Sequence, residues 1–223
     1  MKKLFLSFYF IFLLFSFIFS SCSQKKPAIT SQPALERLLE GNKRYVDNKS
    51  QHSDRSDERR KEIASKHTPY AVIVGCSDSR VSPEIIFDEG LGNLFVVRVA
   101  GNVIGQIELE SINYSALYLN SKIILVLGHD NCGAVEAALQ NNKINIEKIA
   151  KLIEPAIQKV KKNKTNNVLE QAIKANALNM KNLLENSPKI KQLIKDKKIE
   201  VHAAYYNLKT GRVELINEKT SSD

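Results

Sequence analysis

Apolar positions along the chain fall into short continuous runs and longer helical stripes. Tyr70-Ala71-Val72-Ile73-Val74 runs into Gly75, and Lys122-Ile123-Ile124-Leu125-Val126-Leu127 runs into Gly128. Such runs, rich in β-branched residues and closed by glycine, predict strands buried on both faces of a parallel sheet. Residues 93–99 predict a further buried strand. Elsewhere the period lengthens. Residues 33–45 predict an amphipathic helix with Gly41 near its end, and residues 55–66 a highly charged one. Residues 108–119 predict a helix covering the sheet, and Gly133–Leu139 opens another directly after Cys132. Residues 146–200 are helical by pattern: Ile149, Leu152, Ile153, Ala156, Ile157 and Val160 form one stripe, and Leu169, Ala172, Ile173, Met180, Leu183 and Leu184 a second. Both stripes are more simply core than cofactor contacts. Pro155 predicts a kink or restart, and Ser187-Pro188 a helix start with proline at the first helical position. Residues 199–206 and 212–216 flank Lys209-Thr210-Gly211, a hairpin signal. The order of elements predicts an α/β fold: a mostly parallel central β-sheet flanked by helices, with an antiparallel edge strand.

A chain of 223 residues, 43% of them hydrophobic, suits one domain with a substantial core. Met1-Lys2-Lys3 followed by apolar residues 4–19 reads as a signal sequence, short for a membrane span of about 20 residues. Phe19-Ser20-Ser21-Cys22 resembles a bacterial lipobox, with Phe19 where Leu is more usual. In that reading Cys22 is the lipidated first residue of the mature protein. A conventional signal peptide cut nearby and an uncleaved anchor are the alternatives. The expected organisation is a signal peptide over 1–21, a lipid-anchored tether over 22–33, and a single domain over 34–223. The expected location is outside the cytoplasmic membrane, on a lipoprotein facing the periplasm or cell exterior. The net charge is +9, with lysines crowded into residues 159–164 and 195–198. No aromatic residues interleave with them. A solvated face beside anionic headgroups therefore fits better than a nucleic-acid partner.

Two segments carry the chemistry. Cys76-Ser77-Asp78-Ser79-Arg80 and Gly128-His129-Asp130-Asn131-Cys132-Gly133 each follow a predicted strand, where ligands gather in open α/β sheets. Together they supply two thiols, an imidazole and a carboxylate, the donor set of a zinc site able to keep a position open. The first N–H groups of the helix after Cys132 favour thiolate and a bound anion. The blander readings are a Cys76–Cys132 disulfide, two small buried cysteines, a satisfied core histidine at His129, and an ordinary surface ion pair of Asp78 and Arg80. No Cys-x-x-Cys motif is present, which disfavours thioredoxin-like chemistry. Asp130 and Asn131 read as turn formers, and His52 and His202 have no comparable partners in sequence.

The paired motifs resemble those of β-class carbonic anhydrases, and the resemblance runs over about residues 34–216. Further matching pieces are Pro83-Glu84-Ile85-Ile86-Phe87-Asp88, Phe95-Val96-Val97-Arg98-Val99-Ala100-Gly101-Asn102 and Tyr205-Tyr206-Asn207-Leu208-Lys209-Thr210-Gly211. The resemblance implies one zinc ion per chain, bound by Cys76, His129 and Cys132. It implies that Asp78 is the fourth ligand in a closed state and water in the active one, and that Arg80 holds the carboxylate away from the metal. The implied reaction is reversible hydration of carbon dioxide to bicarbonate by zinc-bound hydroxide, with Asp78 accepting a hydrogen bond from the bound water. Two thiolates cancel the charge of the ion, so activity is expected to rise with pH. The resemblance also implies a homodimer or tetramer with the pocket at a subunit interface and N-terminal helices lying across the partner. Many relatives carry Gln two residues before the proline that precedes the first motif strand. Here His67 stands there, ahead of Pro69, or Thr68 after a one-residue slip. Three alternatives remain: hydrolysis of carbon disulfide or carbonyl sulfide on the same fold, a zinc- or bicarbonate-binding module with little turnover, and, weakest, a basic nucleic-acid-binding zinc domain.

Overall fold

The computed structural model describes residues 31–142, 144–161 and 167–217. The leader, Cys22 and most of the expected tether lie outside these residues. In chain order the elements are α1 (Ser31–Val46), α2 (Asp57–Ile63), β1 (Ala71–Gly75), α3 (Pro83–Ile86), β2 (Leu94–Arg98) and a 3₁₀ turn (Ala100–Asn102). They continue with α4 (Gln106–Tyr118), β3 (Ile123–His129), α5 (Gly133–Leu139), α6 (Glu147–Lys161), α7 (Val168–Asn186), α8 (Pro188–Lys195), β4 (Glu200–Tyr206) and β5 (Val213–Leu215).

The strands form one sheet in the order β2-β1-β3-β4-β5. The first four are parallel, and β5 runs antiparallel to β4 as the edge. This is the expected architecture. Because side chains alternate across a strand, each central strand feeds two cores. Val72, Val74, Ile124 and Val126 pack with Ile112, Val135, Ile153, Ile173 and Ile190 from the five later helices. Ala71, Ile73, Ile123, Leu125 and Leu127 pack with Ala34 and Leu38 of α1 and with Ile86 and Phe87. Burial on both faces explains why β1 and β3 read as unbroken apolar runs.

The structure corrects two expectations. Residues 93–99 do not make a fully buried strand: β2 is the outer strand, and most of it is half-buried. Pro155 does not restart the helix: α6 runs through it. Pro155 and Lys151, whose carbonyl loses its helical partner, both lie on the exposed face, so the unpaired carbonyl is not buried. Helix α1 covers its own sheet, with Ala34 and Leu38 fully buried there. Arg37 grips Glu89 with two bonds of 2.7 and 2.5 Å, and Tyr70 donates to the same carboxylate at 2.7 Å. Gly41 lies inside this helix, five residues before its end. A Cβ there would sit 1.9 Å from the Phe87 carbonyl oxygen, so the close approach of α1 to the end of α3 requires glycine.

Ser187 does start α8 with Pro188 behind it, but its hydroxyl donates to Leu184 O at 2.8 Å and so closes the preceding helix. Among the described residues no helix is long and apolar enough to cross a membrane.

Candidate metal centre

β1 and β3 are adjacent, with Gly75 level with Leu127. Their C-terminal ends therefore deliver Cys76 and His129 to one place. Cys132 reaches it as the residue capping the start of α5. The Cys76 and Cys132 sulfurs and a His129 nitrogen all lie within 4.8 Å of one another. All three residues are buried, His129 completely. Both cysteines are free, which disposes of the disulfide reading.

The histidine is oriented from behind. Its Nδ1 lies 2.8 Å from the Asp130 carbonyl oxygen. A carbonyl can only accept, so Nδ1 carries the proton and Nε2 presents a bare lone pair. That Nε2 is buried and has no hydrogen-bond partner, a costly arrangement unless a cation takes the lone pair. The sulfurs make the same demand. A hydrogen bond from Cys132, with further donation from the Gly101 and Asp78 backbone, pulls the Cys76 thiol down to about 4 against the effect of burial. Cys132, facing that thiolate and buried, is pushed up. Two buried sulfurs cannot both become anions side by side without a positive charge between them. The donor set of two sulfurs and one imidazole nitrogen fits zinc, with a fourth position left over.

Asp78 and Arg80 form the rim. Arg80 Nε and Nη2 reach Asp78 Oδ1 and Oδ2 at 2.9 and 2.7 Å, and the Arg80 backbone N–H donates to Oδ1 at 2.9 Å. Asp78 Oδ2 stands 4.0 Å from His129 Nε2, beside the cluster and turned toward the guanidinium. Arg80 holds the Asp78 carboxyl well below the usual carboxylate range, partial burial opposing it. Arg80 Nη2 also approaches the Asn131 carbonyl at 3.4 Å, linking the two motif loops.

The remaining sequence candidates are not gathered here. His67 is exposed and precedes the start of β1, the opposite end of that strand from Cys76. Neither it nor Thr68 approaches the cluster along its own chain. His52 is exposed and His202 pairs with Glu200 at 3.0 Å. Asp130 and Asn131 do form the turn, with Asn131 in the left-handed region at φ 51°.

Further residues support this arrangement. Arg98, at the end of β2, donates from Nε to the Cys76 carbonyl at 2.9 Å and from Nη2 to the Asp78 carbonyl at 2.7 Å. It fixes the backbone that carries both side chains. A charged residue closing an apolar strand was the available signal. The Gly101 N–H donates to Cys76 Sγ at 3.3 Å. Tyr205 O–H lies 3.3 Å from Asp130 Oδ1. These pairings join distant parts of the chain, and spacing does not reveal them.

A parallel sheet whose strand ends converge on a buried Cys-His-Cys cluster, with an ion pair beside it, defines an α/β protein with a candidate metal site. Residues 71–213 match the family model described as carbonic anhydrase. The chain is 54% identical over 106 residues to carbonic anhydrase 2 of Mycobacterium tuberculosis, a match covering 48% of this chain and 51% of that one. The chain thus spans about half the length of the first curated relatives it matches. Among solved structures, the β-carbonic anhydrase CcaA superposes with a TM-score of 0.67 at 23% identity, covering 85% of this chain and 97% of that one. A tetrameric β-carbonic anhydrase from the filamentous ascomycete Sordaria macrospora superposes at 0.63 with 22% identity, covering 82% and 96%. The family model takes in well over half of the sequence, both cysteine motifs included, and the chain belongs to the carbonic anhydrase family, with the fold of its β class.

Proposed function

We propose that the protein catalyses the reversible hydration of carbon dioxide to bicarbonate and a proton, with zinc held by Cys76, His129 and Cys132. The observation that carries this reading is the buried, unpartnered His129 Nε2 facing two thiols within 4.8 Å, with a carboxylate at the rim. Zinc in such a site supplies Lewis acidity that makes water nucleophilic near neutral pH.

The chain's own groups do the rest. Cys76 and Cys132 donate as thiolates and His129 through Nε2, with its Nδ1–H fixed on the Asp130 carbonyl. Asp78, ionised throughout the neutral range, accepts a hydrogen bond from the attacking water and aims its lone pair at the carbon of carbon dioxide. Arg80 holds that carboxylate in a two-pronged grip, so it orients the water and does not collapse onto the cluster. One C–O bond forms, and the proton leaves to bulk buffer. Two anionic ligands lower the acidity that the site confers, so the rate is expected to rise with pH.

A dimer or tetramer is the supported assembly. The outer edge of β2 is unpaired, and beside it Phe95 packs on Tyr114 while Ile107, Tyr114, Leu117 and Tyr118 of α4 stay exposed. The tetrameric relative from Sordaria macrospora is in keeping with this. The charged start, the apolar residues 4–19 and Cys22 support export and attachment through a lipid on that cysteine. Stopped-flow hydration of carbon dioxide by the zinc-loaded protein between pH 6.5 and 9 tests the reading. A rate that climbs with pH supports it. One zinc per chain with no turnover at any pH would leave only a binding module.

A further inference from the structure

We propose that Asn176, on a helix remote in sequence from both motifs, is a positioning residue for the metal centre. It fixes the far side of Gly101, the residue whose N–H donates to Cys76 Sγ. The inference rests on the reading of Cys76, His129 and Cys132 as zinc ligands.

Asn176 is fully buried in the middle of α7, where the other buried residues are Ala172, Ile173, Ala175, Ala177, Leu178, Met180 and Leu184. An amide in such an apolar stripe costs free energy unless it makes a specific bond. Asn176 Nδ2 makes one: it donates to the Gly101 carbonyl oxygen at 2.8 Å. Four residues along the same helix, Met180 Sδ accepts from the Ile104 N–H at 3.2 Å. Helix α7 therefore holds the 101–104 segment at two points one turn apart.

Gly101 transmits that hold. Its backbone lies in the left-handed region, φ 73° and ψ 17°. A Cβ would meet Ile153 Cδ1 at 3.0 Å and Ala134 Cβ at 3.3 Å. Both the conformation and the space require glycine. On its other side the segment is tied by Asn102 N–H to Val99 O at 2.8 Å and by Val99 N–H to Gly75 O at 3.1 Å. With the Gly101 carbonyl anchored by Asn176 and φ and ψ confined, its N–H has one direction left, onto Cys76 Sγ at 3.3 Å. An N–H donated to a ligating thiolate orients the sulfur and withdraws charge from it. Partners of this outer kind change metal affinity by about 10- to 100-fold.

The test uses the protein loaded with cobalt(II), whose sulfur-to-cobalt charge-transfer band reports thiolate donation directly, and zinc affinity from competition with a chromophoric chelator. Asn176→Leu removes the donor at similar size. Asn176→Ala removes it without any clash and gives the same readouts where the leucine variant does not fold. Leu184→Ala, buried on the same helix, is the control for simple destabilisation. The expected result is a shifted charge-transfer band and zinc binding weakened about tenfold or more in the Asn176 variants, with both readouts unchanged in Leu184→Ala. An unshifted band and unchanged affinity in a folded Asn176 variant would overturn the proposal alone, as would an equal change in Leu184→Ala. Absence of any thiolate band from the unmutated protein would overturn the zinc-site reading itself, and this inference with it.

Discussion

Cys76, His129 and Cys132 are sealed from solvent and fixed by the backbone: two by strand ends, one by the start of a helix. Asp78 and Arg80 follow Cys76 by two and four residues, yet Arg80 is half-exposed and the pair is held by its own side chains. The first set is arranged to hold a cation in a place water cannot easily compete for. The second is arranged to meet water and stay charged while doing so. In the proposed reading, holding metal and turning over substrate fall to different residues, so turnover is expected to be lost without loss of the metal.

The largest effect should come from the buried side. Cys132→Ser or His129→Ala should abolish stoichiometric zinc and, with it, hydration, while metal analysis and rate fall together. Zinc retained at one per chain in either variant would break the division. At the rim, Arg80→Ala should leave zinc in place and lower the hydration rate by about tenfold or more, since it releases the carboxylate that orients water. Arg80→Lys should recover only part of the loss, because a point charge cannot reproduce the two-pronged grip.

The smallest effect is on stability. Arg80 depresses the folded-state pKa of Asp78, so the pair's contribution is present above the ordinary aspartate value of about 3.9. It is lost as pH falls through the lower folded value. The pair meets solvent, so the contribution should be no more than about 1 kcal/mol. Chemical denaturation of Asp78→Asn against the unmutated protein should show a difference at pH 7 that shrinks toward pH 3. A difference that grows on acidification would contradict the sign.

The same contrast explains what the sequence disclosed. The apolar runs before Gly75 and Gly128 betray β1 and β3 because a strand buried on both faces has no polar side to show. The cluster residues are legible because they lie at or just beyond the ends of those strands, within short loops. Edge position is a property of the whole sheet, so β2 reads like an inner strand. Pro155 reads as a breaker because sequence does not show that its unbonded carbonyl partner faces water. Arg98, Gly101 and Asn176 act on the centre across contacts between distant segments, and spacing along the chain does not reveal those contacts. Helix α1 has an evident amphipathic face, but the Arg37–Glu89 pair that ties it to the rest of the fold joins residues 52 apart in sequence, which local pattern does not reveal.

The most direct measurement is zinc content and stopped-flow carbon dioxide hydration on the same samples of the unmutated protein and Asp78→Ala. Full zinc in both, with hydration lower by about 100-fold or more in the variant, is the predicted result. Equal hydration with equal zinc would contradict the role given to Asp78 and, with it, the separation of binding from turnover.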